Sequence, residues 1–257
     1  MKLNLYRVSL LTLVRKEVTR FMRIWPQTLL PPVINQTLYF IIFGTFIGSQ
    51  VGEVNGISYM AFIVPGLIMM SVISASFNNV VSSFFGNKFM KNLEELMVSP
   101  TPNWVIISGY ASGGVLRGLI VGGLVFLISF LFVRPQIEHP FIIVLFVLLT
   151  AVVFSLGGLV NGIFAKKFDD ISIFSTFILT PLTYFGGVFY SVEMLPEFWQ
   201  TVSKFNPVLY MIDGFRYGFY GQADLNVWLS IGMLVSFTLI LMVVSSVLLK
   251  RGIGIRN

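Results

Sequence analysis

KFMKNLEELMVSPTP, residues 88–102, is a polar island in an oily chain. Leu93, Leu96 and Met97 share one helical face, and Lys91, Glu94 and Glu95 share the other. Pro100 and Pro102 stop a helix at that point. The stretch reads as an amphipathic helix of one to two turns, held between two long apolar segments. That form suits being gripped by a soluble partner. The plain alternative is a solvated loop.

The surrounding composition sets the class. Hydrophobic residues make up 56% of the 257-residue chain and charged residues 11%, against about 25% charged in soluble domains. The mean hydropathy is +0.86. Such a chain needs lipid as its solvent, and the reading is an all-α membrane protein. Cysteine is absent and His139 is the single histidine, which excludes thiol chemistry, disulfides and Cys/His metal clusters. No metal site is expected. The net charge of +6 is read as basic cytoplasmic loops, not as a nucleic-acid footprint. No cleavable signal peptide is expected, because the N-terminus stays charged through Arg23.

Residues 1–26 are not a span, since Arg7, Arg15, Lys16, Arg20 and Arg23 interrupt them. Ser9, Thr12, Lys16, Thr19, Arg20 and Arg23 form a polar stripe, and Leu10, Leu11, Val14, Val18, Phe21, Met22 and Trp25 an apolar one. This is the pattern of an interfacial helix with its basic side toward lipid headgroups, ended by Pro26. Six spans are expected over 27–249: Gln27–Gly48, Ser58–Phe84 interrupted at Pro65-Gly66, Ser108–Val133, Phe141–Phe164, Ile173–Tyr190 and Val227–Leu249. Each is near the roughly 20 residues that cross a bilayer. Thirteen of the 17 Lys and Arg fall in segments 1–26, 85–103, 165–172 and 250–257. The bias puts both termini inside and leaves 250–257 as a cytoplasmic tail. Segment 191–226, rich in aromatics, Gly and Pro, reads as short helices re-entering the outer interface before span six.

Little here could carry chemistry. The third span holds Gly109, Gly113, Gly114, Gly118, Gly122 and Gly123, with GxxxG spacing at 109/113, 114/118 and 118/122. Such spacing lets another helix approach closely. Arg117 lies among them and needs a partner or water, but no acidic residue sits in a confident span core. Ser71, Ser74, Asn78 and Ser82, beside Asn79 and Ser83, put a polar face on the second span; Thr180, Thr183 and Tyr184 do so around Pro181 in the fifth. These residues are either interhelical glue or the wall of a path. His139 beside Glu138 reads as a solvated pair, and Asp169-Asp170 as an inner turn. No phosphate-binding loop, HExxH or intramembrane carboxylate relay is present. ATP hydrolysis is therefore not expected of this chain, nor is any other enzyme activity. An ATP-independent carrier or channel remains the alternative.

The order of parts resembles the type-2 class of ABC transporter permeases. The likeness rests on TPLTYFGGVFY (180–190), Leu195-Pro196 and NPVLYMIDGFRYG (206–218), in which Asn206, Pro207 and Arg216 match a recurrent motif before the last span. FMRIWPQTLLPP (21–32), LYFIIFGTFIG (38–48) and YMAFIVPGLIMMSVI (59–73) resemble proteobacterial inner membrane members of that class. The resemblance covers the whole chain as one permease domain, 1–257. It implies export of an amphipathic, glycan-bearing or lipid-like substrate or drug across the bacterial inner membrane, by a homodimer paired with a separate cytoplasmic ABC ATPase that binds ATP and Mg. Residues 1–26 become the connecting helix. Residues 88–102 become the coupling helix, with Lys91, Asn92, Leu93, Glu94, Glu95 and Leu96 as its contacts. Spans two and five line a central path, placing Ser74, Asn78, Asn79, Ser82, Thr180, Thr183 and Tyr184 toward it.

Overall fold

The computed structural model describes residues 2–254, with side chains from residue 4 onward. The side chains of Lys2 and Arg256, and the end of the expected 250–257 tail, lie outside the described residues. The chain is helical almost throughout. Helix α1 (Lys2–Arg23) turns at Ile24 into α2 (Trp25–Tyr39), which continues through a π-helical stretch (Phe40–Ile47) into α3 (Gly48–Val51). Pro26 sits in the first turn of α2, where its missing N–H costs nothing. A hairpin of two-residue strands, β1 (Glu53–Val54) and β2 (Ile57–Ser58), leads into α4 (Tyr59–Phe89). Then come α5 (Asn92–Val98), α6 (Asn103–Ser129), α7 (Pro140–Phe164), α8 (Phe168–Phe174), a second π-helical stretch (Ser175–Leu179) and α9 (Thr180–Tyr184). A 3₁₀ turn (Val192–Met194), α10 (Glu197–Lys204), α11 (Pro207–Tyr220) and α12 (Val227–Arg251) complete it.

Among the described residues, five helices are long and apolar enough to cross a membrane: Trp25–Val51, Tyr59–Phe89, Asn103–Ser129, Pro140–Phe164 and Val227–Arg251. The stretch expected as span five is built differently. Its helical run, Phe168–Tyr184, includes a π-helical section just before Pro181, and Phe185–Tyr190 forms a turn through Gly187 at φ +77°.

The bundle is organised around α4, which packs against α6, α7, α11 and α2. Its most apolar stretch is 83% buried inside the protein, against 17% for that of α12. Glycines explain the close packing. The two successive GxxxG runs of α6 serve two different neighbours. Gly109 and Gly113 receive α1: a Cβ at either would lie 2.7 Å from Leu13 Cβ or 2.6 Å from Glu17 Cβ. Gly114, Gly118 and Gly122 receive α4, at Val80, Ser76 and Val72.

Helix α4 does not break at Pro65-Gly66. Proline has no N–H to give the carbonyl four residues earlier, Ala61. The Tyr220 hydroxyl donates to that carbonyl instead, at 2.8 Å. Gly66 lets the Val188 backbone approach: a Cβ there would stand 2.8 Å from Val188 O. The same device recurs at Pro32, whose missing N–H frees the Thr28 carbonyl, and Arg117 Nη2 donates to it at 3.0 Å. The partner that Arg117 needs is thus a backbone oxygen and not an acid. Tyr220→Phe is expected to lower stability by about 1–3 kcal/mol by leaving Ala61 O bare. In a Pro65→Ala background, where the helix satisfies that oxygen itself, most of the loss should vanish. Thermal unfolding of the four proteins in the double-mutant cycle measures this; equal losses in both backgrounds would refute it.

Candidate functional site

At the end of α4 the chain reverses through Met90 and Lys91, and Lys91 holds φ +61°, a conformation non-glycine residues seldom adopt. Lys88 braces the turn. Its Nζ donates to the carbonyls of Ile163 and Ala165, each at 2.7 Å, at the C-terminal end of α7 where a cation is favoured. Helix α5 follows. Leu93 is buried in the core cluster that also holds Val80, Phe84 and Tyr110, and Leu96 and Met97 pack on that cluster partly buried. Lys91, Asn92, Glu94 and Glu95 are exposed. Glu94 and Glu95 lie in the first turn, where the helix dipole favours acids. Ser99 Oγ closes the helix on Leu96 O at 2.6 Å, before Pro100. The expected amphipathic division is present, with the apolar edge seated on the bundle and a charged face free. Between α4, α5 and the end of α7 lies a cleft of about 830 Å³ lined by Phe85, Lys88, Lys91, Glu94, Phe164 and Lys166. Nearby, Asp170 Oδ2 accepts the backbone N–H groups of Lys166 and Lys167, which holds its carboxyl below the ordinary value of 3.8.

Helix α1 is fastened to α4 by polar contacts that no sequence pattern singled out. Glu17 is fully buried and accepts Ser83 Oγ at 2.8 Å and Arg20 Nε at 3.4 Å. Arg20 Nη2 reaches both Asn79 O and Asn79 Oδ1 at 2.8 Å. Lys16 Nζ donates to Asn87 Oδ1 at 3.1 Å. The buried strip of α1 is therefore Leu13, Glu17 and Phe21, whereas Leu11, Met22 and Trp25 of the expected apolar stripe are exposed. The signal for it was a single acid among five bases in residues 7–23, four positions from Leu13 and from Phe21.

The residues singled out as path walls separate into groups. Ser74, Asn78 and Ser82 share one face of α4, partly or fully exposed. Asn79 is fully buried and turned to Arg20. Thr180 is exposed, while Thr183 is buried and donates to Thr180 O at 2.7 Å. The Tyr184 hydroxyl meets the Tyr39 hydroxyl at 2.8 Å, and both rings lie against Phe189. This aromatic cluster joins α2 to α9 next to both π-helical stretches, a distortion common at functional sites.

The motif before the last helix acts as a pair of brackets. Asn206 caps α11 through Val208 N–H at 3.0 Å and donates Nδ2 to Leu182 O at 2.7 Å. Pro207 follows in the first helical turn. Arg216 Nη2 donates to Gly187 O at 2.7 Å, and its guanidinium lies 3.9 Å from the Phe62 ring centre. Asp213 takes the backbone N–H groups of Asp224 and Leu225, each at 2.9 Å. His139 is not a solvated partner of Glu138: its ring stacks on Tyr217 at 5.0 Å.

The family model for the ABC-2 type transporter matches residues 8–220, from α1 through α11. The chain belongs to the ABC-2 type transporter family. Among curated relatives of this ABC-2 chain, the inner membrane transport permease YadH of Escherichia coli (strain K12) is 57% identical over 255 residues, 99% of this chain and 100% of the relative. Nodulation protein J of Rhizobium leguminosarum bv. viciae is 25% identical over 235 residues, 87% of each chain. Nodulation protein J of Rhizobium meliloti (strain 1021) is 24% identical over 225 residues, 83% of this chain and 82% of the relative. The matched region takes in the α1 clamp, α5 and the α11 brackets from Asn206 to Arg216.

Proposed function

We propose that this ABC-2 permease is the membrane subunit of an ATP-driven exporter in the bacterial inner membrane, docking its ATPase on α5. The single permease domain crosses the membrane six times, with the expected Ile173–Tyr190 stretch as the fifth crossing and both termini cytoplasmic. It works as a homodimer, and a separate ABC ATPase binds the ATP and Mg. The substrate is amphipathic, glycan-bearing or lipid-like, or a drug. It passes the exposed Ser74, Asn78 and Ser82 face, and Thr180 and Tyr184 with Tyr39.

The observation that carries this reading is the form of α5. A seven-residue helix is seated by Leu93 and leaves Lys91, Asn92, Glu94 and Glu95 to solvent. A loop with no partner has no need of a left-handed turn at Lys91 or a Lys88 brace. The absence of a phosphate-binding loop in the sequence supports a separate chain as the ATPase. The clamp from α1 to α4 supports the connecting-helix role, since a push on α5 reaches α4 and α1 together.

The test is co-purification with the separately encoded ATPase after Glu94→Lys and Glu95→Lys, both on the exposed face, are combined. Recovery of ATPase is expected to fall at least tenfold while the permease itself keeps its unfolding temperature, because Leu93 stays in place. Unchanged recovery would remove the docking assignment. The ATP-independent alternative predicts uptake into vesicles under a proton gradient with no ATPase present.

A further inference from the structure

The end of the molecule opposite α5 holds a cavity of about 270 Å³ between the hairpin, the start of α4 and the segment around α11. Arg216 and Phe62 are the buried part of its wall; Asn55, Glu193 and Gln222 are exposed at its mouth, with Asp224 half-buried between. The arginine is only partly satisfied. One Nη2 bond goes to Gly187 O, and the ring of Phe62 lies under the guanidinium, but Nε has no hydrogen-bond partner. Among the described residues no carboxylate comes within salt-bridge distance of it. Asp213 and Asp224 act on it only from longer range: Asp213 takes two backbone N–H groups, and Asp224 accepts Ser191 Oγ at 2.8 Å through one of its two oxygens. A buried cation left in this state is costly, and an anion in the cavity would relieve it. The mouth has the opposite character: Glu193 and Asp224 favour a cation, and the Asn55 and Gln222 side-chain amides can bond to either.

We infer that this cavity binds the zwitterionic phosphoethanolamine headgroup of a phospholipid. The phosphate lies toward the Arg216 guanidinium, and the ammonium lies between Glu193 and Asp224 within reach of Asn55 and Gln222. The depth fits a lipid headgroup. Phe62 is in the first turn of α4, a helix able to span the membrane, so the cavity sits where the apolar run begins. Helix α10, just after Glu193, exposes Phe198 and Trp199, residue types that favour the membrane interface. The inference does not depend on where an ATPase docks.

The experiment uses the full-length permease in maltoside detergent, titrated with dihexanoyl phosphatidylethanolamine, dihexanoyl phosphatidylglycerol or glycerophosphoethanolamine, and reads the unfolding temperature. A saturable rise with phosphatidylethanolamine is expected, with phosphatidylglycerol binding at least tenfold more weakly. Arg216→Gln should abolish the rise. Because Arg216 also holds Gly187, that variant can fail to fold, and Glu193→Gln at the exposed mouth then carries the test: it should shrink the preference to less than threefold. If glycerophosphoethanolamine binds as tightly as the lipid, the source is a soluble phospho-zwitterion and the headgroup chemistry stands. Equal binding of phosphatidylglycerol by the wild type, an unchanged preference in Glu193→Gln, or no saturable rise with any probe would overturn the inference, the last meaning that the cavity holds only water.

Discussion

Glu17→Lys is expected to cost about 3–5 kcal/mol, the usual penalty for breaking a buried charged contact from one side. The variant should fail to accumulate as monodisperse protein. Glu17 is completely enclosed, whereas the Arg20 side chain keeps 30% of its surface exposed. Solvent screens Arg20, so most of the cost falls on the glutamate's site and not on the ion pair as such. A lysine there would point a second cation at Arg20 and leave Ser83 Oγ without its acceptor. It would also find little space, since Gly113 closes over Glu17. Glu17→Gln keeps the shape and an oxygen for Ser83 and loses only the charge, so a smaller loss of about 1–3 kcal/mol is expected. Size-exclusion profiles and unfolding temperatures in detergent rank the three proteins. A Glu17→Lys protein as stable as wild type would mean that α1 is not fastened to α4 through this residue.

The contrast between Glu17 and α5 shows what the sequence could and could not display. Helix α5 was legible because its two faces differ in polarity within one turn and prolines bound it. The long helices were legible because their apolar runs match bilayer thickness. The seated face of α1 was hidden, because its buried strip has an acid at the centre, and of Leu13, Glu17 and Phe21 only Phe21 falls on the apolar stripe read from polarity. Asn78 and Asn79 show a related limit. Adjacent residues on a helix point about 100° apart, so one joins the exposed Ser74–Ser82 face and the other turns to Arg20. The bonds that satisfy the proline-freed carbonyls are beyond any local pattern. They connect residues 89 and 159 positions apart. The proline itself announces the need, but only the fold supplies Arg117 or Tyr220.

The glycines of α6 allow the sharpest packing test, because the same substitution can be made at closed and open positions of one helix. Gly114 lies where α6 meets α4 and α7 together. A Cβ there would stand 2.8 Å from the Ser76 carbonyl oxygen and 2.5 Å from Val80 Cγ2, and would press on Ser155 Oγ as well. A backbone oxygen in a packed helix cannot move aside as a side-chain tip can, so α4 itself would have to shift. Gly123 is nine residues along the same helix, and nothing lies within 4 Å of its added Cβ. Both positions gain alike from replacing glycine by alanine, roughly 1 kcal/mol in helix propensity and chain entropy. Gly123→Ala should therefore be neutral or slightly stabilising. Gly114→Ala should be destabilised by about 1–3 kcal/mol through overpacking. Gly114→Leu adds three more carbons at a site with no space for the first, and should not yield folded protein. Unfolding temperatures of the two alanine variants decide the matter. If they coincide, close approach of α4 at Gly114 is not what holds the bundle together, and the successive glycine runs are a matter of composition alone.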